Sequence, residues 1–125
     1  MLLVIGSLLG FGSVLVGALA EHKLKKEIDS EHFRHVITAV RYNQIHAVLI
    51  CAIALAIGSG GFDYGIGLLN IAGYGFALGI LLFCFSIYAS AFFKNRDLNR
   101  LAPFGGISFM IAWLVLASVG MIKLF

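Results

Sequence analysis

Four long apolar stretches divide the 125-residue chain, and charged side chains are concentrated between them. Residues 1–20 carry no charged side chain, and as a helix they would span about 30 Å, the hydrocarbon thickness of a bilayer. Two further stretches, 67–93 and 103–125, are as clear, while the fourth, 43–57, is shorter and begins with polar residues. Because lipid offers no partner for free backbone N–H and C=O groups, each stretch is predicted to be a helix.

The composition agrees with this interpretation. Hydrophobic residues make up 61% of the chain and charged residues 12%, with a mean hydropathy of +1.01. A soluble fold of this length could not bury so much apolar surface, so lipid must cover it. We predict an all-α membrane protein with an amphipathic interfacial extension before the second transmembrane helix. Residues 1–125 would form a single integral domain, with transmembrane helices at about 1–20, 36–57, 67–93 and 103–125.

The basic residues predict the topology. They lie in the first connection (Lys23, Lys25, Lys26, Arg34 and Arg41) and in the third (Lys94, Arg96 and Arg100). The second connection, around Asp63, has no Lys or Arg. The positive-inside rule therefore predicts that the first and third connections are cytoplasmic and that both termini lie outside. The basic residues are too few and too scattered for nucleic-acid binding, so the lipid bilayer is the expected partner.

The N-terminus permits one alternative. Ala18, Leu19 and Ala20, followed by Glu21, resemble a signal-peptidase site after an apolar segment. A basic n-region is absent and the apolar run is long enough to span a membrane. These features favour a retained first helix.

The segment leading into the second apolar stretch is the most informative. Asp29 or Ser30 is predicted to cap a long helix that begins at Glu31 and continues to about residue 57. Apolar residues then recur at helical spacing at positions 33, 36, 37 and 40. This face should be buried at the cytoplasmic interface, with Arg34 and Arg41 reaching towards lipid headgroups.

A polar stripe on the other side of this helix runs into the membrane. It consists of His35, Thr38, Tyr42 and His46, at spacings of three, four and four. Polar groups at such depth are costly unless they face the bundle interior or a wet cavity. A structural alternative is that His46 simply hydrogen-bonds to Ser86 or Tyr88 of a neighbouring helix.

These residues define a candidate intramembrane polar site. Its predicted members are Glu21, His22, Arg41, Tyr42, His46 and Tyr88. Glu21 and His22 end the first apolar stretch, where they are placed to pair with Arg41. A solvated interfacial ion pair is the simpler alternative there.

The sequence does not indicate a metal centre or a catalytic site. His35 and His46 would lie about 16 Å apart on one helix, too far to share an ion. No nucleophile and base occur at a useful spacing. We therefore expect no catalytic residue, no metal and no cofactor.

Small residues mark faces for close helix packing. The first helix carries Gly6, Gly10 and Gly17, the third carries Gly75 and Gly79, and the fourth carries Gly105 and Gly106. Packing within the four-helix unit is favoured over dimerisation through these faces. Trp113 lies in the middle of the fourth stretch, where a helix contact is expected.

Four segments together resemble a known family. They are Gly17 to Lys25, Ala39 to Ala47, Phe83 to Tyr88 and Ala102 to Trp113. In that order they are similar to the motifs GAFGAHxLK, AxRYQxxHA, FSGSLY and TPxGGxxFxxxW of the DUF423, or UPF0382, family of small membrane proteins. Departures include Ala20, Glu21, Asn43, Cys84, Phe85 and Ala102. The last removes a side-chain cap before Pro103.

The resemblance implies a four-helix protein of a bacterial plasma (inner) membrane or an organellar inner membrane, without assigned chemistry. Three functions remain open. The first is a noncatalytic protein that forms a homo-oligomer or joins a larger membrane complex. The second is a small transporter or channel with a polar site near His46, although no carboxylate lies mid-membrane. The third is a lipid-modifying enzyme that would use His22, Tyr42 or His46.

Overall fold

The computed structural model describes residues 1–125 and contains four helices that are long and apolar enough to cross a membrane. They are α1 (Leu2–Glu27), α2 (Ser30–Gly58), α3 (Asp63–Phe92) and α4 (Arg96–Leu124). No strand is present. The predicted all-α class with four helices of spanning length is confirmed.

The first helix continues beyond its apolar run. It extends through charged residues to Glu27, so only Ile28 and Asp29 connect it to α2. No Gly or Pro follows residue 20 in this segment, and charged side chains alone do not end a helix. A predicted lipid boundary near residue 20 thus falls inside a continuous helix.

Two π-helical turns interrupt the regular α-helical hydrogen-bond pattern. One lies in α1 at Ala20–Leu24 and the other in α3 at Ile80–Cys84. Because the hydrogen bonds there run from i to i+5, a π turn rotates the side chains that follow it relative to a regular helix. The residues at both ends of each π turn are buried, so these turns serve packing inside the bundle.

The second helix begins and ends close to the predicted residues. The Asp29 side chain accepts a hydrogen bond from the backbone N–H of His32 at 2.6 Å, which confirms the predicted cap. Val36 and Val40 are buried, whereas Arg34 and Arg41 are exposed. The amphipathic extension is therefore the first third of α2 itself.

The fourth helix begins earlier than Pro103. A 3₁₀ segment, Arg96–Leu101, precedes the α-helical part, and the Asn95 side chain accepts a hydrogen bond from the backbone N–H of Asp97 at 3.1 Å. Pro103 lies in the first turn of the α-helical part, where its missing N–H has no helical partner to lose. Asn95 therefore provides the N-terminal side-chain cap of α4, which Ala102 cannot provide.

Helices α2 and α3 are the central pair. α1 packs along α2, and α4 packs along α3. The largest fully buried side chains include Phe76 and Ile80 of α3 and Ile50 of α2. α1 also reaches α3 near its N-terminus, where Leu2 contacts Gly73.

Polar contacts join the first and third connections at one end of the bundle. The Arg96 guanidinium lies 2.9 Å from a carboxylate oxygen of Asp29. Nearby, the Ser90 hydroxyl and His32 Nε2 are 3.3 Å apart. The two basic connections of the chain therefore lie side by side.

Candidate functional site

His46 is buried and uses both of its ring nitrogens. Nδ1 lies 2.7 Å from the backbone carbonyl oxygen of Tyr42, and Nε2 lies 3.3 Å from the indole Nε1 of Trp113. Because a carbonyl only accepts, this network places the imidazole proton on Nδ1. Nε2 then accepts a hydrogen bond from the Trp113 N–H. His46 is a neutral imidazole that links α2 to α4.

Aromatic rings from three helices enclose this imidazole. The His46 ring is stacked on Phe109 of α4, with ring centroids 4.0 Å apart and an interplanar angle of 10°. The ring centroid of Phe76, on α3, lies 5.3 Å from that of His46. The ring centroids of Tyr42 and Phe83 are also 5.3 Å apart. The aromatic packing fixes the imidazole where α2, α3 and α4 meet.

A second polar pair joins α2 to α3. The amide Nδ2 of Asn43 donates a hydrogen bond to the Tyr88 hydroxyl at 3.2 Å, and both residues are buried. The Asn43 oxygen Oδ1 is buried without a partner. The expected bond from His46 to Ser86 or Tyr88 is wrong, because the Ser86 hydroxyl donates to the Phe83 carbonyl and Tyr88 bonds to Asn43.

The six predicted polar-site residues do not form one cluster. Tyr42 and His46 lie together, while Tyr88 pairs with Asn43. Glu21, His22 and Arg41 are exposed.

The expected pairing of Glu21 with Arg41 is not formed. The Glu21 carboxylate lies 3.7 Å from Lys25 Nζ instead. Continuation of α1 past residue 20 explains this, since it brings Lys25 one turn away from Glu21 on the same face.

Glycines of α1 face α2 closely. A Cβ at Gly6 would lie 2.8 Å from Cys51 Sγ and 3.1 Å from the Cys51 backbone nitrogen. At Gly10 and Gly17 the nearest atoms belong to Ala47, at 3.7 Å, and Val40, at 3.4 Å. This small-residue face is therefore used inside the bundle.

Glycines also shape the contact between α3 and α4. A Cβ at Gly75 would lie 3.1 Å from the Ala112 Cβ, and one at Gly79 would collide with the Phe109 ring. Gly105 lies against the backbone nitrogen of Phe83, whereas Gly106 has open space around it. Of the seven predicted packing glycines, Gly106 alone faces away from its neighbours.

Open grooves follow the seam between α2 and α4. A cavity of about 360 Å³ is lined by His35, Thr38, Phe83, Ile87, Asn99, Ala102 and Pro103. A second, of about 390 Å³, is lined by Tyr42, His46, Pro103, Gly106, Ile107, Phe109, Met110 and Trp113. The polar stripe predicted on α2 thus forms one wall of a surface groove.

The sequence did not lead us to place the α4 residues that face this stripe in the candidate site, although Gly106 and Trp113 were expected to contact other helices. The facing residues are Asn99, Pro103, Gly106 and Met110, followed by Trp113. Their spacings of four, three, four and three place them on one helical face. That periodicity was visible in the sequence, but their chemistry is too mixed to suggest a shared site.

One hydroxyl–imidazole pair does occur, between Ser90 and His32, although none was predicted. Ser90 is fully buried and lines none of the cavities described, so its oxygen has no approach for a substrate carbonyl. No three His, Cys, Asp or Glu side chains are close enough to hold a metal ion. The geometry favours a contact between helices at Ser90 rather than a nucleophile.

Four apolar helices joined by buried polar pairs and close glycine contacts define a small multi-pass membrane protein. The chain belongs to the DUF423 family, described as a protein of unknown function, which matches residues 16–106. The resemblance found in the sequence motifs is thereby confirmed.

Similar proteins are bacterial membrane proteins. A UPF0382 membrane protein of Haemophilus influenzae is 32% identical over 111 residues, which cover 89% of this chain and 86% of the relative. One from Bacillus subtilis is 27% identical over 114 residues, which cover 91% of this chain and 90% of the relative. A UPF0382 inner membrane protein of Escherichia coli K12 is 30% identical over 126 aligned positions, covering 98% and 90%. No solved structure matches the chain.

Proposed function

We propose that this UPF0382 protein is a noncatalytic membrane protein that acts by association, either with itself or as an accessory component of a larger membrane complex. The hydrogen bonding of His46 carries this proposal. Its Nδ1 is bound to the Tyr42 carbonyl and its Nε2 to the Trp113 N–H. An imidazole with both nitrogens bound to the protein cannot take up a proton without losing the bond to Trp113.

The remaining intramembrane polar groups support the same conclusion. Asn43 and Tyr88 bond to each other, and Ser108 donates to the Gly75 carbonyl at 2.7 Å. All six Asp and Glu residues lie at or beyond the ends of the apolar stretches. These two bonds join α2 to α3 and α4 to α3, and no carboxylate lies in the apolar stretches to relay protons, which supports a structural role over transport.

The surface offered for association includes the outward side of α4. The apolar part of α4 has the smallest buried share of the four helices. Beside it, α3 and α4 form a groove of about 330 Å³ whose lining residues are mostly apolar. Gly6, Gly10 and Gly17 of α1 already pack against α2, which favours a partner surface outside this glycine face.

Cross-linking of single-cysteine variants in membranes tests this proposal. Ile111→Cys places a thiol on the exposed side of α4, and Leu8→Cys places one on α1, where the native side chains are 56% and 65% exposed. Both variants are made with Cys51 and Cys84 replaced by alanine. We expect a cross-linked dimer or complex with Ile111→Cys and none with Leu8→Cys.

Two other results would contradict the proposal. One is a protein that stays monomeric and uncross-linked in membranes at all positions tested. The other is proton-driven substrate flux in liposomes that disappears in His46→Ala, which would favour the transporter alternative. For the enzyme alternative, lipid turnover would have to depend on His22, Tyr42 or His46, the residues that this alternative uses.

The same proposal includes an orientation. The first and third connections carry eight of the nine Lys and Arg residues and lie together through Arg96 and Asp29. The positive-inside rule then places this end in the cytoplasm and both termini outside. For a bacterial relative, the membrane would be the inner membrane, as the name of the Escherichia coli protein states for that protein.

A further inference from the structure

The groove along α2 and α4 has a polar end. A cavity of about 120 Å³ beside the Arg96–Asp29 contact is lined only by Asp29, Glu31, His32, His35, Arg96 and Asn99. It shares His35 and Asn99 with the adjoining groove cavity, which in turn shares Pro103 with the next one. Three adjoining cavities therefore follow one seam, and their lining changes from charged to mostly apolar along its length.

The length of this seam matches one leaflet of a bilayer. His35 lines its polar end and His46 its inner end, and eleven residues of helix rise about 16 Å. Half of a hydrocarbon core of about 30 Å is close to this length. A molecule with a polar head and an extended apolar chain, inserted from the interface, would fit along it.

We propose that this seam binds one phospholipid with a zwitterionic headgroup that carries a primary ammonium, of the phosphatidylethanolamine class. The headgroup would lie in the polar cavity and one acyl chain in the groove. The bound lipid goes beyond the proposed association function, since neither requires the other.

The charges lining the polar cavity select this headgroup. Arg96 uses one nitrogen for Asp29, so its other N–H donors remain for a phosphate. Glu31 forms no ion pair, so its carboxylate is free for an ammonium. A purely anionic headgroup would meet two carboxylates here, which disfavours it.

Asn99 and Gly106 give the seam its depth. The Asn99 oxygen Oδ1 is buried without a hydrogen-bond partner, at the junction of the polar and apolar cavities. A glycerol hydroxyl or an ammonium donor would satisfy it. Gly106 has no atom within 4 Å of its Cβ position, which leaves the groove open below Pro103.

Fluorescence of Trp113 offers a direct readout, because it is the only tryptophan of the chain and lines the inner part of the groove. The full-length protein is placed in phosphatidylglycerol vesicles with increasing amounts of phosphatidylethanolamine that bears brominated acyl chains. Brominated phosphatidylglycerol serves as the second probe. We expect saturable quenching that favours phosphatidylethanolamine by about threefold, the size of an exposed ion-pair contribution.

Two variants separate this site from bulk lipid. Gly106→Leu fills the groove and should weaken the saturable quenching by about tenfold, equivalent to about 1.4 kcal/mol. Gly12→Leu on α1 is the matched control, because Gly12 also has open space around it and lines none of these cavities. This control should quench like the original protein.

The headgroup preference has its own variant. Glu31→Gln removes the carboxylate and should make the two brominated lipids quench equally, while helical content by circular dichroism stays unchanged. Quenching that follows bulk mole fraction without saturation, or that is the same in Gly106→Leu as in Gly12→Leu, would overturn the proposal. So would a preference for phosphatidylglycerol in the original protein.

Discussion

At the scale of single residues, the Trp113–His46 hydrogen bond connects α4 to α2 between groups that lie in the apolar parts of both helices. His46→Leu leaves the indole N–H unpaired, and Trp113→Phe leaves Nε2 unpaired. In a double-mutant cycle with both changes, we expect a coupling free energy of about 0.6 kcal/mol, with about 1.7 kcal/mol as the upper end for such bonds. Unfolding in mixed detergent micelles, followed by circular dichroism, measures it.

Tyr42→Phe is the control for this cycle. The Tyr42 hydroxyl makes no hydrogen bond within the protein and its side chain is exposed. Loss of this hydroxyl in Tyr42→Phe should change the free energy of unfolding little. Strictly additive effects of His46→Leu and Trp113→Phe would show that the two groups do not interact.

The residues of the candidate site were easier to predict than their partners. The depth of His46 in an apolar stretch indicates that it must be satisfied, because an unpaired polar group there is costly. The partner, Trp113, lies 67 positions away on another helix. Helical spacing orders residues within one element only, so the sequence alone could not choose between Ser86, Tyr88 and Trp113.

At the scale of helices, the contact between α3 and α4 depends on Gly105. A Cβ there would meet the backbone nitrogen of Phe83 and, at 2.8 Å, the carbonyl oxygen of Gly79. Backbone atoms cannot move aside as a side chain does, so Gly105→Ala should destabilise the protein by about 1–3 kcal/mol, the usual cost of overpacking. The same unfolding titration measures this change.

Gly106→Ala is the matched substitution one residue further along. Its added methyl group meets open space. Alanine is the better helix former, so this variant should be unchanged or more stable by up to about 1 kcal/mol. Equal destabilisation by both substitutions would contradict the close contact at Gly105.

The helices could be predicted from the sequence in the apolar segments that cross the bilayer. Long apolar runs must form helices in a bilayer because no other partner for the backbone exists, and α2 begins at its predicted cap. The π turns at Ala20–Leu24 and Ile80–Cys84 were not predictable. They carry no distinct composition, and the residues at their ends are buried between helices.

At the scale of the whole molecule, the ion pair of Asp29 with Arg96 places both basic connections at the same end. The turn before Asp63 lies after one full helix, α2, and so belongs to the opposite end. If the protein spans the membrane in one orientation, one set of loops is reachable from outside and the other is not. The positive-inside rule assigns the turn near Asp63 to the outside.

Cysteine accessibility in intact bacterial cells tests this orientation. In a background with Cys51 and Cys84 replaced by alanine, a membrane-impermeant maleimide should label Asp63→Cys. It should leave Lys25→Cys and Arg96→Cys unlabelled until the cells are opened. Asp63 is exposed and carries none of the ion pairs, so its substitution should leave the bundle intact. Labelling of Lys25→Cys or Arg96→Cys from outside, with Asp63→Cys protected, would require the opposite orientation and would place the proposed lipid seam in the outer leaflet.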